Sequence, residues 1–256
     1  MRRYCTPVIG CAFALTMSLM IGRAAVADDM ARAAVKQALE SLPTQSFSAH
    51  LRLTTNDASV RQLDLHHKIV DGARATYLEV VAPPDLAGIR FLFLHRIDRP
   101  PLQYIKVAAS RRHVLVSEEA RNQPFLDSTY AVADVIEPEL DAFTYRLTGE
   151  GEVEGRRCQF IEALPREPKK QVYGKTVVAI DLADHLVLRR ELYDSEEKLL
   201  KVALAERVDR IDGQWTILRQ QMKNLADGRV SRLEVTEIRY GVELPDDMFQ
   251  PAYLLR

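Results

Sequence analysis

From Phe47 to Arg239 the chain alternates apolar and polar residues with a period of two, and turn signals cut the pattern into short runs. The first runs are marked by Leu51 and Leu53, then by Leu63, Leu65, His67 and Ile69. Others follow at 76–81, 89–94, 103–107, 113–117, 143–148, 158–164, 176–182, 186–193, 199–208, 215–222 and 230–239. Asp71-Gly72, Pro83-Pro84, Pro100-Pro101, Asp212-Gly213 and Asp227-Gly228 separate them. Period two places successive side chains on opposite faces of a strand, and many short runs at regular spacing specify an antiparallel sheet. A sheet of a dozen strands curls on itself into a barrel or a sandwich.

Several runs are one-faced. Leu200, Val202, Leu204 and Val208 oppose Lys201 and Arg207, and Tyr145 and Leu147 oppose Thr144, Arg146 and Thr148. The expectation is an apolar face turned inward and a polar face turned to water. The run at 89–94 is apolar on both faces except for Arg90, so it is either covered on both sides or borders something non-aqueous. Two segments resist the strand reading. Residues 28–42 carry Met30, Ala34, Val35, Ala38, Leu39 and Leu42 at helical spacing, with Asp28 or Asp29 as cap and Pro43 as stop. Residues 130–140 read as a short helix or structured loop broken by Pro138. Two short helices cannot cover both faces of such a sheet. They can close its open mouth, which favours an enclosed apolar pocket, although a sandwich core would show the same strands.

The N-terminus reads as an export signal. Arg2 and Arg3 precede an uncharged, mostly apolar run at 8–21, and Ala25-Val26-Ala27 is a small-x-small cleavage pattern followed by Asp28-Asp29. The run is shorter than the roughly 20 residues that span a bilayer. Val8-Ile9-Gly10-Cys11 has the look of a lipobox, but the best apolar stretch lies after Cys11 rather than before it. The Arg2-Arg3 pair lacks the rest of a twin-arginine motif. Cleavage after Ala27 leaves residues 28–256 as one domain, with Cys158 as its single cysteine and no internal disulfide. Cys158 is expected to be a packed thiol.

With 35 Lys+Arg against 36 Asp+Glu, the chain lacks the basic excess of a nucleic-acid binder. It has no G-x-S-x-G elbow, no H-E-x-x-H helix and no glycine-rich phosphate loop. His66 and His67 are adjacent on a strand and so point to opposite faces, and His50, His95, His113 and His185 stand singly. Glu150, Glu152 and Glu154 read as a solvated turn, and no histidine lies near Asp127-Ser128-Thr129 in sequence. The expectation is a protein that is not an enzyme and uses neither a metal nor a cofactor.

The order of motifs resembles that of the outer-membrane lipoprotein-sorting proteins, the family with the LolA/LolB-like fold. The resemblance is carried by Tyr77-Leu78-Glu79-Val80-Val81, Pro83-Pro84, Gly88-Ile89-Arg90-Phe91-Leu92, Tyr104-Ile105-Lys106 with Ser110-Arg111-Arg112, and Gln123-Pro124-Phe125-Leu126-Asp127-Ser128. In the second half it rests on Asp181, Tyr193-Asp194, Leu200-Lys201, Gly213-Gln214-Trp215 with Met222, and Leu244-Pro245 with Phe249. It departs at Gln103 and at Leu126-Asp127-Ser128. The resemblance implies a mainly β fold: an incomplete antiparallel β-barrel of about eleven strands, with short helices as a lid over a hydrophobic cavity. It implies a periplasmic carrier of a lipid, a lipoprotein acyl chain or another hydrophobic molecule, in some relatives alongside an RND-type exporter in the inner membrane. A lipid-sensing or scaffolding protein on the same fold is the other reading. Phe91, Phe93, Tyr104, Tyr130, Tyr145 and Leu147 are the expected ligand-facing residues.

Overall fold

The computed structural model describes residues 16–96, 99–108 and 110–256. One helix, α1 (Thr16–Glu40), precedes a single antiparallel sheet. Its strands are β1 (Phe47–Thr55), β2 (Ser59–Val70), β3 (Ala73–Ala82), β4 (Arg90–Arg96), β5 (Arg99–Lys106), β6 (Val114–Leu115), β7 (Phe143–Val153), β8 (Arg156–Pro165), β9 (Lys175–Asp181), β10 (Val187–Tyr193), β11 (Leu199–Ile211), β12 (Gln214–Asn224) and β13 (Val230–Tyr240). The spatial order is β6-β5-β4-β3-β2-β1-β13-β12-β11-β10-β9-β8-β7. Two meanders are therefore joined through the β1–β13 pair, and β6 and β7 are the free edges. The sheet is not closed.

Local chemistry explains the hairpins. Asp71-Gly72, Glu154-Gly155 and Asp212-Gly213 are two-residue loops in which both residues have positive φ. That is the turn whose twist matches the right-handed twist of the strands it joins, and it favours Asp or Asn followed by Gly.

Thirteen strands replace the expected eleven. The period-two runs already marked thirteen segments, and the smaller number came from the resemblance. The segment at 130–140 forms no α-helix. It contains a 3-10 turn at Val132–Val135, followed by another at Leu140–Ala142. The helix ends near its expected stop, and its residues 16–27 belong to the segment expected to be removed on export. The rest of that expected signal, residues 1–15, lies outside the described residues. Among the described residues no helix is long and apolar enough to cross a membrane.

Four apolar clusters pack the two faces. The largest gathers Leu51, Leu53, Leu63, Leu78, Val80, Phe91 and Phe93 with Leu192, Ala203 and Met222, and includes Phe125 and Tyr130 from the segment between β6 and β7. A second packs α1, through Ala31, Ala34, Val35 and Ala38, onto Tyr145, Ile161, Ala163 and Ile180. Met30, expected on this stripe, is exposed, and Ala31 takes the buried place. Cys158 is buried in a third cluster, with Ala179 and Leu188, and burial raises its thiol pKa. The fourth explains the two-sided run on β4. Phe91 and Phe93 belong to the first cluster, whereas Leu92 and Leu94 lie under the C-terminal turns with Phe249 and Leu254.

Candidate functional site

Between β6 and β7 the chain must travel from one free edge of the sheet to the other, and residues 116–142 make that crossing. They lie against the inner face and are pinned at both ends. Phe125 packs on Phe91 with ring centroids 5.0 Å apart. The Thr129 hydroxyl donates to the Met222 carbonyl of β12 at 2.9 Å, and the Thr129 amide donates to Ser231 Oγ of β13 at 2.9 Å. Further along, the Asp134 carboxylate accepts from the Ala131 amide at 2.7 Å and from the Tyr173 hydroxyl at 2.9 Å, with Lys201 Nζ of β11 3.6 Å away. Glu137 accepts from Arg74 Nε of β3 at 2.8 Å. The segment thus touches β3, β4, β11, β12 and β13.

The crossing leaves two cavities. The larger, about 280 Å³, is lined by Leu51, Leu53, Leu63, Leu65, Leu78 and Phe93 on one side and by Phe125, Tyr130, Val135 and Ile136 of the crossing on another. Cross-strand pairing builds the first wall. Leu51 faces Leu63, Leu63 faces Val80, Leu65 faces Leu78, and Leu78 faces Phe91, so leucines on neighbouring strands share one face. The smaller, about 160 Å³, lies among Val35 of α1, Phe143, Tyr145, Ala163, Val178, Arg190 and Leu192. Pro101 of β5 and Asp134, Ile136 and Glu137 of the crossing border both, so the two cavities adjoin along this line.

The six expected ligand-facing residues do not converge. Phe93 and Tyr130 line the larger cavity and Tyr145 the smaller. Phe91 lies against Phe93 with nearly parallel rings, 6.0 Å between centroids. Leu147 packs in the α1 cluster and lines neither cavity. Tyr104 packs with Leu92 in the C-terminal cluster, its ring edge-on to His113. Residues absent from the expected set include Leu51, Leu53, Leu63 and Leu65, whose alternation was visible, and Asp134, Arg190 and Gln220, which no motif marks.

Polar residues border both cavities: Arg74, Thr76, His95 and Gln220 the larger, Arg121, Lys170 and Arg190 the smaller, and Asp134 and Glu137 both. Tyr130 is buried and its hydroxyl has no hydrogen-bond partner, and burial raises its pKa. The Ser128 hydroxyl is occupied in a local turn, donating to the Phe125 carbonyl at 2.6 Å. His66 bonds to Ser48 and His67 to Thr76, on opposite faces of β2. Among the described residues no group of three His, Cys, Asp or Glu is placed to hold a metal ion.

A sequence-family model described as an uncharacterized protein matches residues 72–256. The chain belongs to that family. No curated protein matches it. Among solved structures it is similar to a domain from Vibrio parahaemolyticus named for outer-membrane lipoprotein sorting, at 21% identity and a TM-score of 0.82, covering 90% of this chain and 100% of that one. A DUF1329 family protein from Desulfovibrio piger matches at 19% identity and 0.81, covering 89% and 99%. A LolA superfamily protein from Nitrosomonas europaea matches at 19% and 0.67, covering 87% and 98%. At these identities the comparisons establish the fold, which is LolA-like.

Proposed function

We propose that the exported chain is a periplasmic carrier that holds a lipid, a lipoprotein acyl chain or another hydrophobic molecule while it crosses the envelope. The observation that carries this reading is the leucine-lined cavity between the inner face of the sheet and the crossing segment. Each methylene withdrawn from water is worth about 0.8 kcal/mol, so ten of them contribute about 8 kcal/mol, enough for a non-covalent carrier. The two cavities together enclose about 440 Å³, within the roughly 300–1,000 Å³ of small-molecule sites. The curved sheet serves as an incomplete barrel, and the crossing, with α1 beside it, serves as its lid. Phe91, Phe93, Tyr130 and Tyr145 are the aromatic residues from the sequence reading that we place next to the ligand. An RND-type inner-membrane exporter is the partner that the resemblance to the sorting family implies. The export signal is cleaved after Ala27, leaving residues 28–256.

The test is to export the full chain to a bacterial periplasm, purify it without detergent, and combine native mass spectrometry with organic extraction and N-terminal sequencing. A stoichiometric lipid on a chain beginning at Asp28 is the expected result. A clean apo mass that takes up no offered lipid would overturn the carrier reading.

A further inference from the structure

Antiparallel partners share a face, so the register traces a row of side chains across the inner face. One such row runs Leu147, Ile161, Val178, Arg190, Ala203, Met222, Ser231, Thr55. Ile161, Ala203, Met222, Ser231 and Thr55 are buried. Arg190 is the charged member of this row, set between Val178 and Ala203, and it lines the smaller cavity.

Three other partly buried arginines have a carboxylate partner. Arg74 has Glu137 at 2.8 Å, Arg90 has Glu79 at 3.0 Å, and Arg156 has Asp181 at 2.9 Å. No carboxylate among the described residues lies within ion-pair distance of the Arg190 guanidinium, nor does any side chain or carbonyl accept a hydrogen bond from it. Two of the acids bordering the same cavity are committed elsewhere. Asp134 takes Tyr173 and Lys201, Glu137 takes Arg74, and Glu139 forms no ion pair among the described residues. Of the other cations there, Lys170 is paired with Glu167, while Arg121 presents a buried Nε without an acceptor. A guanidinium keeps its charge, and this one is half-buried at the cavity wall with no counter-ion beside it. Planar N–H donors of this kind match a carboxylate or a phosphate.

We infer that the smaller cavity is an acidic-headgroup site, in which Arg190 binds the carboxylate or phosphate of an amphiphile whose tail continues past Ile136 into the larger cavity. The inference rests on the carrier reading and deepens it: the cargo is a single-chain acidic lipid rather than a neutral hydrocarbon. Leu192, Val178 and Ala163 receive the first methylenes beyond the head, and the leucine wall receives the rest.

The test compares dodecanoate, dodecyl phosphate and 1-dodecanol by isothermal titration on the exported, delipidated protein and on Arg190→Met and Arg190→Lys. The expected result is that the wild-type protein binds at least one of the two acids about tenfold or more tightly than the alcohol. Whichever acid binds more tightly identifies the headgroup. Arg190→Met should erase the preference while still binding dodecanol, which also shows that the variant is folded, and Arg190→Lys should keep part of it. Equal binding of acid and alcohol by the wild-type protein, or a preference surviving in Arg190→Met, would overturn the headgroup site and leave the carrier reading standing. Binding of none of the three would overturn both.

Discussion

His67 shows how one buried ring can set a pH limit on the fold. It is 3% exposed on β2, stacked on Phe47 at 5.0 Å between ring centroids, with Nδ1 2.9 Å from the Thr76 hydroxyl and Nε2 without a partner. Burial, helped by the charge on Arg74, lowers its pKa from 6.5 to about 4. Above pH 6.5 the ring is neutral in both the folded and the unfolded chain. As pH falls from 6.5 toward 4 the unfolded chain takes up a proton that the folded chain refuses, so stability is lost across that window. A shift of this size corresponds to about 3 kcal/mol. Urea melts from neutral pH down to about pH 4 should show the decline in the wild-type protein and a flatter profile in His67→Leu. Parallel profiles would show that other groups govern the acid limb.

At the scale of elements, one carboxylate ties the crossing segment to the second meander. Asp134 joins the crossing to itself through the Ala131 amide, to the loop before β9 through Tyr173, and to β11 through Lys201. Asp134→Ala leaves Lys201 and Tyr173, 3.2 Å apart, with only each other, and removing the carboxylate from such a largely buried pair costs about 3–5 kcal/mol. Hydrogen exchange should quicken at 129–137 in this variant while β1–β3 stay protected. Uniform quickening across the sheet would mean that the crossing is part of the core rather than a separable element. How much of this was legible in the sequence varied with surroundings. β1 and β2 alternate because one face meets the leucine cluster and the other meets water, so their strands and inward residues could be read directly. β4 lost its alternation because the C-terminal turns cover its second face. β11 misled in the opposite sense. Its leucines read as interior, yet Lys201 and Ala203 face the crossing, while Leu204 and Val208 pack with Cys158 and Leu188 in the third cluster. The crossing itself has no period to read. Its path is dictated by hydrogen bonds to β12 and β13 and by an ion pair to β3, contacts between residues far apart in sequence.

For the molecule as a whole, the decisive contact is the β1–β13 pair, which runs from Phe47 opposite Tyr240 to Thr55 opposite Ser231. It joins the first meander to the last strand of the second, and the crossing ties the two together again from inside. Neither half can expose its inner face without uncovering the other's, so the two should unfold as one unit. Calorimetry is expected to show a single transition. A bound amphiphile stabilises only the folded state, by RT ln(1 + [L]/Kd), or about 2.7 kcal/mol when the free ligand is a hundredfold above Kd. In a domain of this size that raises Tm by about 5–10 °C. The transition should move as one with rising dodecanoate, because the ligand's two ends rest on β1–β4 and on β10. A transition that splits, with only one part moving, would mean that the meanders are thermodynamically separate and that the ligand is held by one of them alone.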